Sequence, residues 1–365
     1  MKPFELKKPP IVRLPPRSNF EIGLSRSAQI SIVLIGAVTF IFALHAGRFL
    51  LAPVSLAVVV GLMLGPIARR IEKRGIGTWV SAGLVTLLFL AVLSALTAAL
   101  VGPLTFWAGQ LPSIWEQLQV QLAQFSEPLN AIRGLQEQIR TITGGSGVTV
   151  SVEDGSAVES VVTFAPAMFA QILLFLASLY FFIATRDDIR IAVLRLCMSR
   201  RLRWRTAHIF IDVESLVSQY LLSITFINIG LGLAVGLAMW VAGVPSPWLW
   251  GALAGLLNFV VYIGPAVMAA ILFIVGLGSF ETLTGSMMPL VIYMSLNLIE
   301  AQFVTPLVVG RTLTLNPFLV VLALAFWIWI WGPVGGFIAI PAVLVVFAIA
   351  RNIVPGFGTA QNGQP

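Results

Sequence analysis

The sequence predicts an all-α, polytopic integral membrane protein with about eight hydrophobic segments, two of them re-entrant hairpins. Three observations predict the class. Hydrophobic residues make up 58% of the 365-residue chain and charged residues only 10%, where an ordinary soluble domain has about 25% charged. Uncharged stretches such as residues 75–115 exceed the roughly 20 apolar residues a helix needs to cross hydrocarbon. The Lys and Arg residues gather in short segments beside the apolar runs, as topology signals do. That placement accounts for the net charge of +7 without nucleic acid as a partner; no basic-aromatic binding motif accompanies it. Cys197 is the single cysteine and His45 and His208 are the only histidines, so neither an intrachain disulfide nor a zinc site of the H-E-x-x-H kind is expected. No cofactor is implied.

Residues 1–27 carry Lys2, Lys7, Lys8, Arg13, Arg17 and Arg26, a longer basic region than a signal peptide has. They read as a cytoplasmic tail before an uncleaved first span. Residues 28–104 hold three spans, near 28–44, 49–67 and 79–104. Residues 105–157 form an acidic segment, with Glu116, Glu127, Glu137, Glu153 and Asp154 against Arg133 and Arg140. The positive-inside rule places it outside, and places the basic segments 69–74 and 186–205 in the cytoplasm. Ile114, Leu118, Leu122, Phe125, Leu129, Ile132, Leu135 and Ile139 recur at helical spacing. Pro128 is expected to split them into two helices, because proline removes a backbone donor. A turn at Gly144, Gly145 and Gly147 follows; it lacks the lysine of a phosphate-binding loop. The segment reads as a helical hairpin on the membrane surface, or else as a lid or subunit contact. Residues 158–218 contain a fourth span, 158–183, and a basic helix over 186–218 whose arginines anchor it at anionic headgroups.

Residues 219–351 form the expected transport core, with apolar runs at 220–241, 248–277, 287–309 and 317–350, ahead of a tail at 352–365. The run 248–277 would be roughly 45 Å long as one helix, too long for one crossing of a ~30 Å layer and too short for two. Its middle holds Asn258, Tyr262, Gly264 and Pro265, where a helix breaks. The run 317–350 repeats the design: it starts at Pro317 and breaks at Gly332, Pro333, Gly335 and Gly336. The pair reads as hairpins entering from opposite faces, in the manner of inverted repeats; two kinked spans are the alternative. Between them Tyr293, Asn297 and Glu300 fall on one helix face. A carboxylate at membrane depth is costly and marks an ion path, a proton relay or a solute contact, or else a cap or a partner for Arg311. Asn228 and Gln302 read as interhelical packing. Trp327, Trp329 and Trp331 alternate, so one helix cannot bury all three.

Several pieces occur in a specific order: Gly243-Val244-Pro245, Gly251 to Asn258, Tyr262-Ile263-Gly264-Pro265, Glu300, Thr305-Pro306, Gly310, Pro317, Gly332, Gly335 and Ile340-Pro341. In these the chain resembles the autoinducer-2 exporter family of bacterial membrane transporters. The resemblance implies a permease of the bacterial cytoplasmic membrane without its own ATPase domain, assembled as a homo-oligomer such as a pentamer. It also implies that Glu300 and the hairpin tips are transport residues. Val261 stands where the family often has proline, and Ala301 and Gln302 stand where asparagine often follows the acid. The expected function is secondary transport or facilitated passage of small polar solutes or signalling molecules. Sodium–proton exchange is the alternative, and a membrane scaffold a further one. No hydrolase motif or intramembrane aspartate pair suggests an enzyme.

Overall fold

The computed structural model describes residues 19–140, 157–280, 282–309 and 316–353, and the regular elements among them are all helical. The chain divides into two units, Met1–Arg48 and Phe49–Pro365. The first contains α1 (Asn19–Ala46), along which Ile30, Val33, Val38 and Phe42 are all exposed. Such a surface suits hydrocarbon rather than water.

The second unit comprises α2 (Arg48–Glu72), α3 (Thr78–Arg140), α4 (Ala157–Leu196), α5 (Arg200–Val241), α6 (Pro247–Leu257), α7 (Ile263–Ser279), α8 (Leu283–Ile299), α9 (Thr305–Val309) and α10 (Pro317–Ile353). One π-helical turn, Glu300–Val304, joins α8 to α9. Among the described residues seven helical stretches, α1 and the α8–α9 run included, are long and apolar enough to cross a bilayer; α6 and α7 are apolar but shorter. Taken as one broken segment, that last pair completes the eight expected from sequence.

Two expectations are corrected. Pro128 does not divide the acidic segment: α3 continues as one helix from Thr78 to Arg140. A proline costs one hydrogen bond and a local clash, which a long helix absorbs as a bend. The glycine turn at 144–147 lies outside the described residues. The basic stretch 186–218 is not one helix either. It breaks after Leu196, and Ser199 caps the new helix by accepting a hydrogen bond from the Leu202 amide at 3.1 Å. Serine in this role satisfies an amide that the helix start leaves open.

Ion pairs gather at one end of this unit. Arg69 of α2 meets Glu214 of α5 at 2.6 Å, Arg186 of α4 meets Glu72 of α2 at 2.6 Å, and Arg351 of α10 meets Asp212 of α5 at 2.7 Å. From this basic end α5 runs to the far end and returns as α6. The two helices pack through glycines. A Cβ on Gly232 would lie 2.8 Å from the Gly251 carbonyl oxygen, and one on Gly255 would lie 2.7 Å from that of Asn228. Close backbone approach of this kind is how helices associate where lipid removes the hydrophobic driving force.

α6 and α7 form a hairpin. Trp107 of α3 stacks edge-on against Trp250 near the start of α6, with centroids 5.1 Å apart, and also lies against Gly278 at the end of α7. One side chain touching both extremities means that the arms start and finish at the same end. At the turn, Gly264 sits directly against the Leu257 carbonyl; in a continuous helix, residues seven apart would be separated by about 10 Å. Val261, at the position where proline is often found, does not prevent the break.

α10 is broken in the same way. Gly332 adopts φ 61° and ψ −141°, a conformation open to glycine alone. Gly335 then sits against the carbonyl of Trp327, eight residues earlier, so the chain reverses here too. Its second arm returns to the basic end, where Asn352 Nδ2 donates to Asp212 Oδ2 at 2.7 Å. Trp331 is buried and Trp329 is 64% exposed, as their alternation requires.

The two tips touch. Phe259 and Phe337 lie 5.4 Å apart by ring centroids, and a Cβ on Gly336 would lie 2.8 Å from Val260 Cγ1.

Two measurements check this packing. Gly251→Val should lower the thermal unfolding midpoint in detergent, as overpacking by about 1–3 kcal/mol does. Gly230→Ala, whose Cβ meets nothing within 4 Å, should not lower it, since alanine favours a helix interior over glycine. In a Cys197→Ser background, Phe259→Cys with Phe337→Cys should cross-link within one chain by a short bifunctional thiol reagent; absence of that cross-link would contradict contact between the tips.

Candidate functional site

Beneath the tips, α5, the end of α6 and α8 each place one asparagine, and the fold brings the three to one level. Asn228 lies 13 residues before Val241, Asn258 lies 11 after Pro247, and Asn297 lies 14 after Leu283. At 1.5 Å per residue these are depths of about 16–21 Å from the far end.

The three amides form a chain. Asn297 Nδ2 donates to Asn258 Oδ1 at 3.4 Å, and Asn258 Nδ2 donates to Asn228 Oδ1 at 2.9 Å. Asn228 and Asn258 are buried, at 2% and 8% exposure. The chain leaves a donor unused: Asn228 Nδ2 is buried and has no partner among the described residues. Tyr293, one turn before Asn297, is fully buried, and its hydroxyl is also unpartnered there. A buried polar group without a partner costs about 1–3 kcal/mol, and each of these donors could bond an acceptor oxygen.

Glu300 supplies the opposite character. It is buried at 8% exposure, and its Oε1 accepts a short hydrogen bond from Thr305 Oγ1. The local backbone explains the pairing. Pro306 has no amide hydrogen, so the carbonyl four residues before it loses its usual donor. The helix widens instead: the Thr305 amide donates to the Glu300 carbonyl, five residues back. Such π turns recur at functional sites. The site therefore presents a carboxylate acceptor and orphaned donors along one wall.

The other expected residues are distributed as follows. Tyr262 is 55% exposed and holds φ 65°, a left-handed backbone at the start of α7; it belongs to the turn and is not part of the amide chain. Gly264, Gly335 and Gly336 are buried in the tips, Pro265 is half-buried in the first turn of α7, and Pro333 is exposed. Pro317 opens α10 and Pro341 is buried within it. Gly310 and Arg311 lie outside the described residues. Gln302 is exposed, which removes it from packing within this chain. Asn228, read from sequence as interhelical glue, does join α5 to α6 through Asn258 and is thereby a member of the amide chain. Its signal was a lone amide in an uncharged span, at a depth that only the fold matches to Asn258. Among the described residues no cluster of His, Cys, Asp and Glu could hold a metal ion.

Comparison with known proteins agrees with this architecture. The chain is 23% identical over 321 residues to "Putative transport protein YhhT" of Escherichia coli (strain K12), covering 87% of this chain and 88% of that protein. It is 35% identical over 130 residues to "AI-2 transport protein TqsA" of the same organism, covering 36% of this chain and 38% of TqsA. It is 24% identical over 322 residues to "Putative transport protein YueF" of Bacillus subtilis (strain 168), covering 83% of this chain and 84% of that one. The family described as "AI-2E family transporter" matches residues 30–354. The chain belongs to the AI-2E family of membrane transporters.

Proposed function

We propose that the protein is a secondary transporter or facilitator that moves small polar solutes across the bacterial cytoplasmic membrane, with its basic end in the cytoplasm. One observation carries this reading: two broken helices touch tip to tip over a wall of buried Asn228, Asn258, Tyr293 and Glu300 and half-buried Asn297. At about 16–21 Å from the far end, that wall falls near the midplane of a ~30 Å hydrocarbon layer. The hairpins are re-entrant, α6–α7 from outside and α10 from the cytoplasm, and the arms move about the glycine turns to expose the wall to each face alternately. Orphaned donors and a carboxylate acceptor suit a solute that both accepts and donates hydrogen bonds, as a polyol or a hydroxylated signalling molecule does.

Glu300 favours a second arrangement, in which a cation or proton binds the carboxylate and drives the cycle, as in sodium–proton exchange. The name of TqsA assigns AI-2 to that protein. Its match covers 36% of this chain, and Ala301 and Gln302 follow the acid here, so the present substrate is proposed by class alone. Subunits assemble as a homo-oligomer in this reading.

Transport in liposomes checks the site. Flux of labelled polyols, measured with and without sodium and proton gradients, should fall at least tenfold in Glu300→Gln, a rise of about 1.4 kcal/mol in the transport barrier. Wild-type flux that depends on a gradient and vanishes in the variant indicates coupling through Glu300. Flux unaffected by the substitution would remove the carboxylate from the path.

A further inference from the structure

A groove lies between α2, α4 and α5 at the basic end, away from the hairpin tips, and encloses about 170 Å³. Its chemistry changes along its length. Val58, Leu62 and Phe182 line the deep part, while Arg69, Arg186 and Arg190 stand at the basic mouth. From Arg69 to Val58 is eleven residues of α2, about 16 Å, close to one leaflet of a ~30 Å hydrocarbon layer.

The charges at the mouth are unequally engaged. Arg186 is committed within the fold: Nη2 donates to Glu72 at 2.6 Å and Nη1 to the Gly65 carbonyl at 3.1 Å. Arg69 donates through Nη2 to Glu214 at 2.6 Å and keeps further N–H donors, since a guanidinium has five. Arg190 is half-buried and has no acidic partner among the described residues. Asp187 also borders the groove, 4.0 Å from Arg186 Nε. Asp187 and Glu214 set two negative charges against the three arginines of the lining, so the mouth keeps a net charge of +1 and unused guanidinium donors above an apolar slot.

We infer that this groove binds an anionic phospholipid of the leaflet at the basic end, with the phosphate against Arg190 and Arg69 and one acyl chain along Val58, Leu62 and Phe182. A soluble anion would satisfy the arginines but leave the apolar walls empty. A zwitterionic lipid would fill the walls but bring its own cation to the arginines. The anionic lipid matches both halves, and near a membrane surface each basic residue contributes about fivefold in affinity.

The full-length protein, reconstituted in equal phosphatidylglycerol and phosphatidylcholine and re-extracted, would be examined by native mass spectrometry for retained lipid. Wild type should retain phosphatidylglycerol in preference. Arg190→Gln should reduce that preference about fivefold, whereas Arg195→Gln, on the same helix but outside the groove, should not. Leu62→Trp should reduce retention of the lipid while the protein still elutes as wild type does. Equal behaviour of the two arginine variants would overturn the assignment. So would displacement of the lipid by glycerol phosphate alone, which would mark a headgroup site without an acyl slot.

Discussion

A helix interrupted in hydrocarbon exposes backbone groups that lipid cannot hydrogen-bond, at a cost of several kcal/mol for each one left unsatisfied. That constraint organises the second half of this chain. At the first break the turn meets part of the demand itself: the Val260 amide donates to Leu257 at 3.0 Å, that of Gly264 to Val260 at 2.8 Å, and that of Ala266 to Tyr262 at 3.2 Å. Protein supplies the remaining cover. The Phe337 ring and Gly336 of the second break close over Phe259 and Val260 of the first. Each tip thus covers part of the other.

The same constraint explains the polar residues nearby. An isolated asparagine in an apolar helix needs a partner, and three helices each supply one at a shared level. Their amides satisfy one another only in part, leaving donors on Asn228 and Tyr293 beside the carboxylate of Glu300. A structural core would gain by completing that network. In the proposed function, those unused donors belong to the binding wall.

Much of this was legible in the sequence because membrane folding obeys strong length rules. The runs 248–277 and 317–350 were too long to cross once, and proline with glycine at their middles marked the breaks the structure contains. Tyr293, Asn297 and Glu300 were visible as a helix face from spacing alone. Periodicity could not show that Asn228 stands level with Asn258, since the α5–α6 glycine seam sets that register and its geometry is three-dimensional. Pro128 misled for a physical reason: proline disfavours but does not forbid a helix interior, and the backbone continues through it to Arg140. The break at Cys197–Ser199 was hidden by apolar spacing that persists on both sides, with Ser199 as its one local signal.

In the proposed topology the two hairpins enter the membrane from opposite faces and meet inside it. Single cysteines at Ser246, Thr282, Asn316 and Asn352, each in a Cys197→Ser chain, can be labelled in sealed vesicles with a membrane-impermeant thiol reagent. Ser246→Cys and Thr282→Cys should react from the outer face, and Asn316→Cys and Asn352→Cys only from the cytoplasmic face. Labelling of Ser246→Cys and Thr282→Cys from opposite faces would mean that the first segment crosses the bilayer, and would overturn that topology.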